Sequence, residues 1–293
     1  MIDLHSHSTC SDGTYSPQEL VLLAKNAGIS TFALTDHDTI LGLDDAHQKA
    51  RQLGVRLING VEISCHHTLF GGYGKNQAID KVIHVVALDF LDKRYLGDKL
   101  TALQHSREYR GRSIIAKLAT LLDYDETILV QQVLNKVNHN PKAIGRAHIA
   151  QVLFELGLTK SIQDAFDKYL ADNKPAYVAI DAMSMTQTVQ LIHDCGGLAV
   201  LAHPTRYGLS ATRTRRLIAE FADMGGDAVE LPNSEPVSTR AMIDRCVKEH
   251  DLLVSVGSDF HGANMPWRKL GKVATIKPEQ VGVWERFRPS SDC

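Results

Sequence analysis

Two histidines stand on alternate positions near the start of the chain, in Ile2-Asp3-Leu4-His5-Ser6-His7. Ile2 and Leu4 alternate with polar residues as on a short strand, so His5 and His7 project to one side of it. Two imidazoles on one strand face can grip a single borderline metal ion. Asp12 follows in Ser11-Asp12-Gly13, a turn that can bring a carboxylate back towards them. Taken alone, a His-x-His pair is just as readily a polar, exposed strand. Its meaning comes from what recurs further along.

The strand expected over 31–35 runs into Asp36-His37, and the one over 55–61 ends at Glu62. His84 sits inside the apolar run 82–90. The strand over 197–202 ends at His203-Pro204, and that over 252–256 leads to Ser258-Asp259-Phe260-His261. One histidine at a strand end is usually solvated or capped, and His84 by itself reads as a core histidine bonded to a carbonyl. The same side-chain types recurring on strands far apart in sequence point to one shared basin. So many imidazoles and carboxylates cannot be buried together without partners. Divalent ions balance the carboxylates and accept the imidazoles, and mixed nitrogen and oxygen donors suit zinc, manganese or iron. Ions held side by side can activate a water and clamp the oxygens of a transferring phosphoryl group.

These residues need a frame. Ser16-Pro17-Gln18-Glu19 is a capping box with proline in the first helical turn, and Gly28 closes that helix. Helical patterning follows at 42–53, 186–195, 211–224 and 237–250, each next to an apolar strand segment. Residues 66–80, with His66, His67 and several glycines, read as a mobile rim loop. Residues 272–276 are a further short strand candidate. Between 93 and 182 the alternation stops, and the pattern predicts helices at 107–122, 126–137, 145–156 and 162–170. Seven strand–helix units with strands apolar on both faces suggest a parallel sheet covered by helices. The expected fold is α/β, a closed or nearly closed (β/α)7 barrel over 1–92 and 183–293, with a helical subdomain inserted at 93–182. An open doubly wound sheet is the runner-up. In a barrel the chemistry gathers at the carboxyl ends of the strands. No Gly-x-Gly-x-x-Gly or Gly-Lys-Ser/Thr follows the first strand, which argues against a dinucleotide or NTP site.

Composition excludes several classes. The chain has 293 residues, 44% of them apolar, enough to bury a large core, and a net charge of -2 that does not suit a general polyanion binder. No apolar run approaches the ~18 residues of a membrane helix, and no basic-then-apolar leader opens the chain. Five scattered cysteines without a Cys-x-x-Cys pair fit a reducing cytoplasm. Neither a membrane nor an obligatory protein partner is expected.

The set His5-x-His7, Asp36-His37, Glu62, His84, His203-Pro204 and Asp259-x-His261 resembles the polymerase and histidinol phosphatase (PHP) superfamily along the whole chain. It looks most similar to the branch of nucleoside 3',5'-bisphosphate phosphatases and 5'-to-3' exoribonucleases. The resemblance implies a distorted (β/α)7 barrel with a trinuclear metal centre. One ion would be held by His5, His7, Glu62 and Asp259, a second by Glu62, His84 and His203, and a third by Asp12, His37 and His261. Several other branches carry histidine where this chain has Asp12. A carboxylate there favours manganese over zinc and also admits magnesium or iron. Asp36 is expected to orient His37. The implied reaction is attack by an ion-activated water on a phosphate monoester, with Asp259 in the catalytic set and His203 or His261 protonating the leaving oxygen.

Substrate contacts are read from cations. From Thr127 to Phe154 there is no Asp or Glu, while Lys136, His139, Lys142, Arg146 and His148 are present. Arg146 could fork a second phosphate, and Arg206, tethered next to His203 at the barrel rim, is the better candidate for that second-phosphate grip. Lys174 in Asn173-Lys174-Pro175 resembles a short motif of the branch, Arg107 and Arg110 are candidates to face the cleft, and Asn233 could hydrogen-bond substrate. The expected substrate is a nucleoside 3',5'-bisphosphate, losing its 3'-phosphate, or a short 5'-phosphorylated oligoribonucleotide. A histidinol phosphatase suits the helical insert less well. A non-catalytic metal-binding regulatory module is the alternative from another class, disfavoured because every implied ligand position carries a competent side chain.

Overall fold

The computed structural model describes residues 1–70 and 78–289. Seven strands form one sheet in chain order: β1 (Ile2–Asp3), β2 (Thr31–Leu34), β3 (Arg56–Leu69), β4 (Ile79–Leu88), β5 (Leu198–Leu201), β6 (Ala228–Glu230) and β7 (Leu253–Ser255). The sheet curls until its ends meet. Leu4 N donates to the Val256 carbonyl at 2.9 Å, Asp259 N to His5 O at 2.9 Å and His7 N to Phe260 O at 2.9 Å. A parallel bridge between Ser6 and Phe260 completes this seam. Residues 4–7 therefore lie against 256–261, although the two segments are separated by nearly the whole chain.

The sheet is mixed, which corrects the expected all-parallel ladder. β1, β2 and β3 pair in parallel, as do β5, β6 and β7, but β4 runs antiparallel to both β3 and β5. β3 and β4 are a long hairpin with Ser64 opposite His84 and Leu69 opposite Ile79. His66 and His67, expected in a rim loop, belong to β3. His66 Nε2 bonds the Ile180 carbonyl, and His67 Nε2 lies 2.6 Å from Glu220 Oε2. Residues 68–69 of the expected loop also belong to β3 and 79–80 to β4, while residues 71–77 lie outside the described residues. The candidate strand at 272–276 is not one. That segment stays irregular, with Gly271 N donating to Asp3 Oδ2 at 2.8 Å.

Helices α1 (Pro17–Asn26) and α2 (Leu43–Leu53) cover the first strands. The capping box forms as the sequence requires: Ser16 N donates to Glu19 Oε2 at 2.8 Å and Glu19 N to Ser16 Oγ at 3.3 Å. Next come α3 (Lys93–Leu122), α4 (Glu126–Lys136), α5 (Arg146–Glu155) and α6 (Ile162–Ala165), which continues as a π-helical turn to Leu170. Helix α7 (Met185–Asp194) packs on β3, β4 and β5, and α8 (Ala211–Asp223) packs on β3 and on α9 (Val237–Glu249).

Helix α3 starts fourteen residues before the expected Arg107, and its two halves serve different cores. Leu96, Leu100 and Leu103 bury into the main apolar cluster with β3, β4 and α7. Ile114, Ile115 and Leu118 bury into a second cluster made wholly of residues 114–176. Arg107 sits at the changeover and pairs with the fully buried Asp38 just beyond β2. The same guanidinium donates to Ser64 Oγ at 3.1 Å. One helix and one buried ion pair thus fix the second cluster over the end of the sheet.

Candidate active site

Glu62 is the hub. Its Oε2 lies 2.9 Å from His37 Nδ1, 3.2 Å from His7 Nε2 and 3.3 Å from His5 Nε2. Its Oε1 lies 2.8 Å from His203 Nε2 and 2.9 Å from His84 Nδ1. Asp259 Oδ1 approaches His7 Nε2 at 3.3 Å and His5 Nε2 at 3.6 Å. On the other side of His7, Asp12 stands 3.4 Å from His261 Nε2, 3.7 Å from His7 Nδ1 and 3.8 Å from His37 Nε2. All nine residues expected to ligate metal therefore converge in one basin. Their donor atoms form overlapping groups: His5, His7 and Asp259; His5, Glu62 and His203; His37, Glu62 and His84; and His7, Asp12, His37 and His261.

The basin has the chemistry of a cation site. His5 Nε2, His7 Nε2, His37 Nδ1, His203 Nδ1 and Glu62 Oε2 are buried with no hydrogen-bond partner. Orphaned buried polar atoms are costly, and here four of them face one another across the hub. Burial disfavours a charged Glu62, but the rings of His37, His84 and His5 outweigh it and hold its carboxyl well below the usual range. Burial pulls His37 down to about 4, which leaves it a neutral donor. It would lower His7 too, but Asp259 and Glu62 carry that ring up to about 10. Ionised carboxylates facing imidazoles, one neutral at His37 and one holding a proton at His7 that a cation would displace, fit divalent ions around shared space.

Outer partners orient these donors. Glu230, at the end of β6, places Oε2 at 2.5 Å from His5 Nδ1, so that His5 offers Nε2 to the centre. Sequence reading missed Glu230; the available signal was a lone carboxylate in the apolar run Ala228-Val229-Glu230-Leu231. His261 Nδ1 donates to the Asp259 carbonyl at 2.9 Å. Asp36 does not serve His37 as expected. Its carboxylate accepts Ser8 N at 2.7 Å, Ser8 Oγ at 2.6 Å and Ser11 Oγ at 2.6 Å, and Ser11 Oγ lies 3.4 Å from His7 Nδ1. Asp36 thus braces the turn behind His7. His203 and Asp259 have positive φ, 28° and 51°, a backbone region costly for residues with a side chain. Gly257 has to be glycine, because a Cβ there would lie 2.2 Å from His5 Cβ.

A cleft of about 550 Å³ opens over the basin, lined by His37, Glu62, His84, His203, Asp259 and His261 on its floor. Two clusters of cations share it. Arg206 and Arg268 both donate to Asp259 Oδ2. Lys81 Nζ lies 2.8 Å from Asp172, and Arg146 Nη1 lies 3.4 Å from the same carboxylate. Val82, Phe166, Tyr207 and Met265 supply apolar wall. Arg206 and Arg146 therefore stand where substrate contacts were expected, while Lys81, Asp172 and Arg268 were not foreseen. Lys142 lines a small recess behind His37, with Cys10 and Gln104, and not the cleft itself. The cleft lining does not include Lys174, His139 or Asn233. Lys174 is exposed in the turn that returns from the second cluster, and His139 is exposed past the end of α4 with φ 60°. Asn233 is spent on tying down the tail, its Nδ2 donating to the Lys272 carbonyl. Arg107 is taken by Asp38. Arg110 donates to Val178 O at 3.0 Å and is pulled down to about 9 by burial and by its neighbours Arg146 and Arg107.

A mixed barrel with one carboxylate at the hub of converging histidines and aspartates is a metal-centred hydrolase architecture. The chain belongs to the PHP domain family, whose model matches residues 3–184. It is 36% identical over 291 residues to a 5'-3' exoribonuclease of Haemophilus influenzae, covering 97% of this chain and 98% of that one. It is 31% identical over 291 residues to a 3',5'-nucleoside bisphosphate phosphatase of Chromobacterium violaceum, covering 98% and 96%. Among solved structures, an amidohydrolase from Chromobacterium violaceum with bound sulfate and no metal superimposes with a TM-score of 0.83 at 31% identity, over 97% of this chain and 95% of that one.

Proposed function

We propose that the chain is a metal-dependent phosphoesterase that removes the 3'-phosphate from nucleoside 3',5'-bisphosphates to leave the 5'-monophosphate. The observation that carries this reading is the pairing of two cation clusters in one cleft. Asp259 meets two guanidiniums beside the candidate metal ligands, and Asp172 meets Lys81 and Arg146. Each cluster has one positive charge more than its carboxylate can balance. A ligand with two phosphates matches that pattern, with the apolar wall of Val82, Phe166 and Met265 available to a nucleoside.

In this reading three divalent ions, manganese favoured, are held by His5, His7, Glu62 and Asp259; by Glu62, His84 and His203; and by Asp12, His37 and His261. When bound they supply charge neutralisation for the phosphoryl oxygens and a water made acidic enough to attack. The protein's own residues do the rest. Arg206 beside Asp259 holds the reacting phosphate, and Arg146 with Lys81 holds the second. Of the two proton donors considered, His203 keeps an unpartnered ring nitrogen, Nδ1, whereas His261 Nδ1 is committed to a carbonyl. Because that Nδ1 is buried, it does not single out His203, and either ring, through the nitrogen turned to the basin, is a candidate to protonate the leaving ribose oxygen.

Exonucleolytic cleavage of short 5'-phosphorylated RNA is a second use of the same cleft, since it too needs a 5'-phosphate held beside the scissile ester. The relative from Haemophilus influenzae carries that activity in its name. Phosphate release from nucleoside bisphosphates and monophosphates, run beside cleavage of a 5'-phosphorylated dinucleotide with manganese supplied, separates the readings. The bisphosphate should turn over fastest, and Arg146→Ala should raise its KM while sparing a 3'-monophosphate. Equal rates on bisphosphate and monophosphate would remove the second-phosphate role, and faster cleavage of the dinucleotide would make RNA the main substrate.

A further inference from the structure

Arg268 contributes charge to the Asp259 cluster, and its geometry gives it a more specific part in the reaction. Its Nη1 donates both to Asp259 Oδ2 and, at 3.2 Å, to the Asp259 carbonyl. Arg206 Nη1 reaches the same Oδ2. The other oxygen of that carboxylate, Oδ1, is turned towards His7 and His5 at 3.3 and 3.6 Å. One carboxylate cannot neutralise two guanidiniums and also serve a metal site. The excess charge lies on the wall of the cleft, where Arg268 keeps 19% of its side-chain surface open. Both of its contacts leave from Nη1, so the rest of its planar fork remains available to a ligand.

The segment that carries Arg268 is tied to the catalytic loops. Ala263 N donates to Thr14 Oγ1 at 3.1 Å, Asn264 Nδ2 to the Asp12 carbonyl at 3.5 Å, and Arg268 N closes a turn onto Met265 O at 2.9 Å. The guanidinium is therefore set in place relative to Asp12, His261 and Asp259. Such pre-placement is what transition-state stabilisation requires, and a solubilising surface arginine would not need it.

We propose that Arg268 is a catalytic residue that takes a non-bridging oxygen of the phosphoryl group during transfer, with Arg206 gripping a second oxygen. The proposal rests on the phosphoesterase reading above. In the step it serves, the oxygen of water bonds to phosphorus as the bond from phosphorus to the ribose oxygen breaks. One proton of the water ends on the released hydroxyl and the other stays on the inorganic phosphate. Negative charge spreads over the equatorial oxygens as this happens, and a fixed guanidinium meets it there without reorganising.

The test uses manganese-loaded wild type, R268A and R268K, the last keeping a charged stem in case the truncation disturbs folding. Three quantities are read: manganese content by elemental analysis, inorganic phosphate affinity by calorimetry, and turnover of a nucleoside 3',5'-bisphosphate with and without added guanidinium ion. The manganese content should match wild type in both variants. Phosphate affinity should fall by about tenfold or more in R268A, and kcat by roughly 10²–10³ with a smaller change in KM. Guanidinium should restore part of the turnover of R268A and leave wild type unmoved. Manganese lost in step with phosphate affinity would make Arg268 a mere support for Asp259 and overturn the proposal, as would R268A binding phosphate as tightly as wild type. If wild type binds phosphate in an Arg268-dependent way yet hydrolyses no phosphate ester, the phosphoesterase reading fails and the anion contact stands. A wild type that binds no phosphate overturns the contact itself.

Discussion

Glu230 Oε2 and His5 Nδ1 stand 2.5 Å apart and join the sixth strand of the barrel to the first. Both residues are buried, and the bond fixes which ring nitrogen His5 turns inward. Glu230→Ala should weaken manganese binding by about 10–100-fold, measured by calorimetry, while Glu230→Gln, which keeps an acceptor, should recover most of it. Unchanged affinity in Glu230→Ala would mean that His5 holds its orientation without help.

Stripping the ions should cost stability as well as activity. They bind the folded basin and not the unfolded chain, so at a hundredfold excess over Kd they add about 2.7 kcal/mol. Chelation should therefore lower Tm by several degrees in scanning fluorimetry, and added manganese should restore it. A Tm indifferent to chelator would count against any resident ion. In His7→Ala the same chelation step should shrink, and turnover should be lost while the circular dichroism spectrum stays native.

The buried pair between Asp38 and Arg107 should behave unlike a surface ion pair. Replacing either partner alone, as Asp38→Asn or Arg107→Met, leaves a charge stranded and should cost about 3–5 kcal/mol in denaturant unfolding. The double variant should recover a good part of that loss. Two single losses that simply add would show that the residues stabilise independently.

Gly257→Ala tests the approach of the last strand to the first. The added methyl would sit 2.2 Å from His5 Cβ, so the segment carrying His5 and His7 must move. We expect a loss of roughly 1–3 kcal/mol from overpacking, with manganese binding impaired more than the fold. Native metal affinity in this variant would show that the seam yields without disturbing the ligands.

Much of this was legible along the chain. Histidines and carboxylates at strand ends announce themselves, because an apolar strand makes any polar residue at its end conspicuous. His5, Glu62, His203 and Asp259 were each visible this way, and the helix at Ser16 declared its own start. What stayed hidden depends on partners distant in sequence. The reversal of β4 leaves no local mark, because an apolar strand reads the same in either direction, and the polar pair His66 and His67 disguised the end of β3 as a loop. Glu230, a lone carboxylate in an apolar run, shows its part only when His5, 225 positions away, is placed beside it. Arg268 and Lys81 acquire a role only once Asp259 and Asp172 reach them. Asn233 and His139 lie outside the cleft lining for reasons residue type does not reveal: the fold ties the Asn233 amide to the Lys272 carbonyl, and His139 stands exposed past the end of α4.

The seam between residues 4–7 and 256–261 has a temporal consequence. During synthesis seven of the nine candidate ligands, His5 to His203, emerge before Asp259 and His261, so the basin lacks its last two until the segment after β7 is made. The basin closes only when the segment after β7 docks against residues 4–7, and a chain truncated before Asp259 should therefore be inert.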